Sequence, residues 1–253
     1  MSRNYELIQR SGAQSDFASA SDLTRPLSNH DSNGNGNRNG SSLDLQKMAK
    51  DELLKFVRRV FFTPGKERVR IVVFAGVDLE DGSASLCAAA AKILARNAFE
   101  AICLVDAQSH STVLPRLLGF NDRCGLAESL LREGPIRNFT QQLTPENLSV
   151  LPCGSSGNSR GLFRSERLKM RVAELRNEFE YVLINAPPVL LDGTACLLGA
   201  LADGLVLIVE ANTTHREVAR KAKELLRSAN VRLLGAIFNN RTFPIPASVY
   251  SRL

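Results

Sequence analysis

Ile71–Ala95, IVVFAGVDLEDGSASLCAAAAKILA, is the stretch whose reading decides the fold. Ile71, Val72, Val73 and Phe74 form an apolar, largely β-branched run, the signature of a buried strand. A Gly-containing acidic loop follows, then an Ala-rich stretch with strong helix propensity. Strand, loop and helix in this order place backbone N–H groups and a helix N-terminus where an anion can be held. The loop departs from the text G-x-x-x-x-G-K-[ST]. Gly82 stands for the second glycine, Ser83 where the lysine belongs, and Ala84 where the Mg²⁺-binding hydroxyl belongs. The candidate cofactor-binding positions in this loop are Gly82, Ser83, Ala84 and Ser85.

Outward from this stretch, 253 residues fit one large domain with a tail. The hydrophobic fraction of 44% is ample for a core, and no apolar run approaches the roughly 20 residues that span a bilayer. The opening MSRNYELIQRSG lacks the apolar segment of a signal peptide, so a cytoplasmic location is expected. Cys87, Cys103, Cys124, Cys153 and Cys196 are scattered, without a C-x-x-C pair, and read as reduced thiols. The net charge of +6 permits weak attraction to polyanions. No contiguous Lys/Arg run accompanies it, so no nucleic-acid partner is expected.

Residues 1–42 are rich in Ser, Asn, Gly and Asp and read as a disordered tail, with a short docking turn around Tyr5, Leu7 and Ile8. Residues 43–253 form the folded domain. Leu45, Met48, Leu53, Phe56, Val57 and Val60 recur at helical spacing over Leu43–Phe62, with Ser42 or Asp44 as cap. Glu52, Lys55 and Arg58 share one exposed face, where a local Glu–Lys pair is expected. Beyond Val69 the text alternates strand and helix. Strands are expected at Val69–Ala75, Ala101–Val105, Leu148–Leu151, Tyr181–Asn185, Gly204–Val209 and Leu233–Phe238. Helices are expected at Ala84–Asn97, Ser165–Phe179, Thr194–Leu201 and Thr214–Ser228, with Ser165 and Asp192 as caps. Strands that are apolar throughout belong to parallel sheets covered on both faces. The fold class is α/β: a doubly wound, mostly parallel sheet with helices on both faces and its site at the C-terminal strand edge.

Four strand-end segments carry the chemistry: GVDLEDGSAS, CLVDAQ (Cys103–Gln108), YVLINAPPV (Tyr181–Val189) and GAIFNNR (Gly235–Arg241). With GLAESLLREGPIRNF (Gly125–Phe139), NLSVLPCG (Asn147–Gly154) and RTFPIP (Arg241–Pro246), the chain resembles the bacterial tyrosine kinases of capsule and exopolysaccharide export. These are MinD/ParA-like phosphate-loop ATPases. The resemblance implies that Glu52, Lys55 and Arg58 match an E-x-x-R-x-x-R self-assembly motif, and that Asn239 occupies a position near the adenine. It implies a membrane polysaccharide chain-length or co-polymerase protein as partner, an active kinase homologue as another, homo-oligomerisation, and a peripheral place at the inner membrane held through a partner.

The same resemblance identifies departures. Ser83 carries no charge to clamp phosphates, Ala84 has no hydroxyl for Mg²⁺, and Glu80 replaces a loop glycine. The strand-end D-x-D pair becomes Asp106 and Gln108, leaving Asp106 as the sole catalytic and metal-binding candidate there. The second acidic strand end reads Asn185, and an amide supplies neither metal charge nor a base. Of the C-terminal tyrosine cluster that would be phosphorylated, only Tyr250 is present. Phosphoryl transfer rests on positioning and charge neutralisation. The expected cofactor is therefore none, or ATP or ADP with Mg²⁺ held weakly. The reading is a non-catalytic regulatory or adaptor subunit. The alternatives are an active kinase or ATPase with a divergent loop, and a ParA-like positioning protein that touches DNA.

Overall fold

The computed structural model describes residues 39–63, 68–78, 82–109, 111–145, 147–155, 166–191 and 193–240, with side chains from Ala49 onward. Seven strands form one sheet: β1 (Ile71–Gly76), β2 (Ile102–Asp106), β3 (Gln141–Gln142), β4 (Leu148–Leu151), β5 (Tyr181–Asn185), β6 (Gly204–Glu210) and β7 (Leu233–Asn239), in the order β3-β4-β2-β5-β1-β6-β7. All pairings are parallel except β3 against β4. Every residue of β1, β2, β4, β5 and β6 is buried, as helices on both faces require.

One face is covered by α1 (Asn39–Phe61), α2 (Ser83–Asn97) and α3 (Val113–Leu118). There Val57, Phe61, Leu94 and Leu114 pack on Val72, Phe74, Ile102 and Leu104. The other face is covered by α4 (Leu126–Leu131), a 3₁₀ turn (Ile136–Phe139), α5 (Glu166–Glu178), α6 (Thr194–Leu201) and α7 (Arg216–Ser228). There Leu126, Leu168, Leu175, Leu198 and Leu226 pack on Val73, Val105, Ile184 and Leu207. Alternate residues of β1 thus feed separate cores, the period-2 consequence of a strand.

The expected strands are all present, with ends shifted by one or two residues. Helix α1 begins at Asn39, so Ser42 and Asp44 lie within it and do not cap it. Helix α6 is preceded by Gly193 at its cap position, and helix α5 starts at Glu166; the expected caps Asp192 and Ser165 lie outside the described residues. So do the docking turn near Tyr5 and the segment from Arg241 onward. Helices α3 and α4 have six residues each and β3 has two, too short for periodicity to declare itself. Among the described residues no helix is long and apolar enough to cross a membrane.

A polar staple ties the N-terminal edge of the sheet together. Asp203 Oδ2 accepts the backbone N–H groups of Arg70 at 2.7 Å and Ile71 at 2.8 Å. Arg176 donates to both Asp203 oxygens, at 3.1 and 2.8 Å. Arg70 in turn donates to the carbonyls of Arg176, Phe179 and Glu180, closing the end of α5. Partial burial pushes the Asp203 carboxyl up, but the bonds from Arg176, Ile71 and Arg70 and the Arg176 charge hold it below the usual 3.8.

Asp203→Ala is expected to cost about 2–3 kcal/mol, because it strands two backbone donors and a guanidinium. Urea unfolding at pH 7 measures this loss. Since the folded carboxyl is the stronger acid, its contribution is complete above about pH 4 and disappears as pH falls through the lowered folded value. The variant is therefore expected to lose that part of the acid dependence.

Candidate functional site

Parallel strands joined by helical crossovers deliver their following loops to one edge. At that edge stand Gly76, Asp106, Asn185, Glu210 and Asn239, with Ser83 opening α2. Register makes the placement specific: Asp106 lies beside Asn185, Asn185 beside Phe74, and Glu210 beside Asn239.

Gly82 adopts a left-handed conformation, φ 57°, and turns the loop into α2. The first intrahelical bond runs from Leu86 N–H to Gly82 C=O at 3.1 Å, so the N–H groups of Ser83, Ala84 and Ser85 precede the ladder. That is the backbone half of an anion cradle. Ser83 and Ala84 are buried and Ser85 is half-buried. Asp78 is half-buried, while Glu80 and Asp81 lie outside the described residues.

The side-chain half is a hydrogen-bonded chain of hydroxyl, amide and carboxyl groups with no cation in it. Ser83 Oγ donates to Asn185 Oδ1 at 3.4 Å. Asn185 Nδ2 donates to Asp106 Oδ1 at 3.0 Å and to Gln108 Oε1 at 3.3 Å. Asp106 Oδ1 also accepts the Gln108 backbone N–H at 3.1 Å. The other Asp106 oxygen is buried without a hydrogen-bond partner. Burial, offset in part by the bonds from Asn185 and Gln108 and reinforced by Asp122, pushes the Asp106 carboxyl up to about 7. The sequence-predicted Ser83, Asn185 and Asp106 therefore form one network.

A second cluster lies across Gly82. Glu210 is buried, and its Oε1 accepts from Asn239 Nδ2 at 2.6 Å while its Oε2 accepts from Asn240 Nδ2 at 2.8 Å. A Cβ on Gly82 would sit 2.5 Å from Asn239 Nδ2. The Asn239 amide is thus packed against the loop and bonded to Glu210. Glu210 was not anticipated; only the β6–β7 register reveals its partner. On α1, Lys55 Nζ bonds Glu52 Oε1 at 2.5 Å and Arg58 is exposed, so the expected local pair forms.

Mg-ATP needs ammonium or metal charge on its phosphates and carboxylate ligands for the metal. Among the described residues this network offers a hydroxyl, two amides and one carboxyl, and no ammonium. Among the described residues no three His, Cys, Asp or Glu side chains group to hold a metal.

Sheet order, left-handed Gly82 and strand-end polar groups define an α/β protein of the phosphate-loop NTPase type. A chain of the MinC:MinD cell division protein complex from Aquifex aeolicus shares that fold with a TM-score of 0.58 at 20% identity, over 68% of this chain and 69% of that chain. No protein-family model matches the chain. The tyrosine-protein kinase YwqD of Bacillus subtilis is 26% identical over 206 residues, covering 81% of this chain and 86% of its own. The kinase domain of the Escherichia coli tyrosine kinase ETK superposes with a TM-score of 0.71 at 16% identity, covering 97% of this chain and 98% of that domain. The BceF tyrosine kinase domain gives a TM-score of 0.67 at 25% identity, over 76% and 77% of the two chains. The homologues are bacterial tyrosine-protein kinases and the solved neighbours include their kinase domains, in agreement with the resemblance drawn from the motifs.

Two stability measurements check this geometry. Asp106 protonates more readily folded than unfolded, so it costs stability as pH rises from about 4 to its folded value. Asp106→Asn is expected to be more stable than the parent at pH 8 by about 2–4 kcal/mol, with the gain vanishing near pH 4. Gly82→Ala is expected to cost about 1–3 kcal/mol through left-handed strain and the Asn239 clash. Asn239→Ala in that background should recover part of the loss, read by urea unfolding.

Proposed function

We propose that the chain is a regulatory or adaptor relative of the exopolysaccharide-type tyrosine kinases, retaining their scaffold without phosphoryl-transfer chemistry. One observation carries this reading: the position after Gly82 holds Ser83, whose hydroxyl engages the Asn185 amide in a network without a cation. A nucleotide entering this loop would meet backbone N–H groups but no ammonium, and a carboxylate about 4 Å from a phosphate charge costs roughly 1–4 kcal/mol depending on screening.

In this proposal the chain works in polysaccharide biosynthesis and export, against a membrane co-polymerase protein or an active kinase homologue. It sits in the cytoplasm, peripheral to the inner membrane through that partner. The α1 face bearing Glu52, Lys55 and Arg58 is the self-assembly surface. A second reading, an active tyrosine kinase or ATPase, draws on the unpartnered Asp106 oxygen, the atom a metal would use.

Isothermal titration with Mg-ATP followed by radiolabel transfer separates the two. The adaptor reading expects no micromolar binding and no transfer. Micromolar binding with turnover abolished by Asp106→Asn establishes the enzyme instead. The combined variant Glu80→Gly, Ser83→Lys and Ala84→Ser is expected to raise ATP affinity at least tenfold, about 1.4 kcal/mol, by restoring charge and backbone approach.

A further inference from the structure

Helix α7 carries a row of cations that contiguous reading does not reveal. Arg216, Arg220, Lys223 and Arg227 recur at spacings of four, three and four, so they fall on one flank of the helix. All four are exposed. Ala219, Ala222 and Leu226, at the complementary spacing, are buried against the sheet and fix the helix's rotation. Among the described residues Arg216, Lys223 and Arg227 make no ion pair. Arg220 Nε meets Glu224 Oε1 at 3.1 Å, with the two side chains 77% and 64% exposed, a pair that water screens. The terminal nitrogens of Arg220 stay available. Between Arg216 and Arg232 the chain has six Lys/Arg and two Glu, a local +4 out of the net +6.

The shape of this charge narrows its partner. The row is about 16 Å long and one residue wide. Glu217 and Glu224 lie next to it on the outward side of the helix, both exposed. A flat anionic surface would have to meet those carboxylates together with the cations. A linear polyanion running along the flank meets only the cations. Three of the four are arginines, whose planar fork matches phosphate oxygens in pairs. Successive phosphates on one strand of duplex DNA rise about 3.4 Å along the axis while turning about 36°, so they stand about 6–7 Å apart and two or three fall along the row.

We propose that the Arg216–Arg220–Lys223–Arg227 flank of α7 binds the phosphate backbone of duplex nucleic acid without sequence preference. The contact is independent of the nucleotide loop.

Fluorescence anisotropy of the full chain with a labelled 30-base-pair random duplex tests it. Two or three neutralised phosphates give a log–log salt slope of about −2 to −3, so affinity should fall roughly 10- to 50-fold between 50 and 200 mM salt. Arg216→Gln, Arg220→Gln, Lys223→Gln and Arg227→Gln together should weaken binding at least tenfold and flatten the slope. Arg227→Gln alone should reduce the slope by about one. A charge-matched control, Lys50→Gln, Arg59→Gln, Arg96→Gln and Lys169→Gln, should keep the parental slope; circular dichroism verifies that each variant is folded. No duplex binding at 50 mM salt overturns the assignment. So does equal loss in the control, or co-sedimentation with phosphatidylserine vesicles without duplex binding.

Discussion

The double burial of β1 is the constraint on which everything else rests. All of Ile71–Gly76 is buried, with β5 and β6 in parallel on either side and helices above and below. Ile71, Val72, Val73 and Phe74 each contribute about 1.5–3 kcal/mol of burial, shared between the cores on the two faces. Parallel neighbours require crossover helices, and crossovers send the loop after each strand to the same edge. The position of the site therefore follows from apolar residues that take no part in its chemistry.

At those ends the hydrogen-bond accounting closes on itself. Asn185 spends both amide hydrogens on Asp106 and Gln108 and accepts from Ser83. An amide so engaged has no donor left with which to orient a water. A carboxylate at the same position would face Asp106 across the β2–β5 register with no cation between them. The amide avoids that repulsion and supplies the donor Asp106 needs, so Ser83, Asn185 and Gln108 are mutually consistent at this edge. The remaining Asp106 oxygen is the one buried atom of the network that this consistency does not satisfy.

The strands were legible because apolar runs bounded by turns admit few other readings. The longer helices were legible from their periodicity. Helix α4 escaped because six residues hold fewer than two turns, and β3 because Gln141 and Gln142 carry no strand pattern. In the site, Ser83, Asn185 and Asp106 were found from loop text, whereas Glu210 was not. Its importance arises from β6–β7 register and from Asn240, which has φ 53° and turns its amide back to the carboxylate. The cationic flank of α7 escaped for a related reason. Residues spaced four, three and four apart are separated in the text by Glu217, Ala219, Ala222 and Glu224, and become neighbours only once the helix is fixed.

Gly82 shows why single motif residues mislead. Its left-handed backbone and absent side chain look like accommodation of a phosphate. Yet the space a Cβ would occupy is already taken by the Asn239 amide, 2.5 Å away and held by Glu210. The glycine is required by a contact within the protein, whether or not an anion ever enters the loop. Asp106 differs: its Oδ1 is held by Asn185 and the Gln108 backbone, but its other oxygen is buried without a partner, so packing alone does not account for the aspartate. An ammonium beside Gly82 has no comparable internal use, since burying it would demand a counter-charge. The residue at position 83 therefore bears on phosphate binding more directly than the glycine before it.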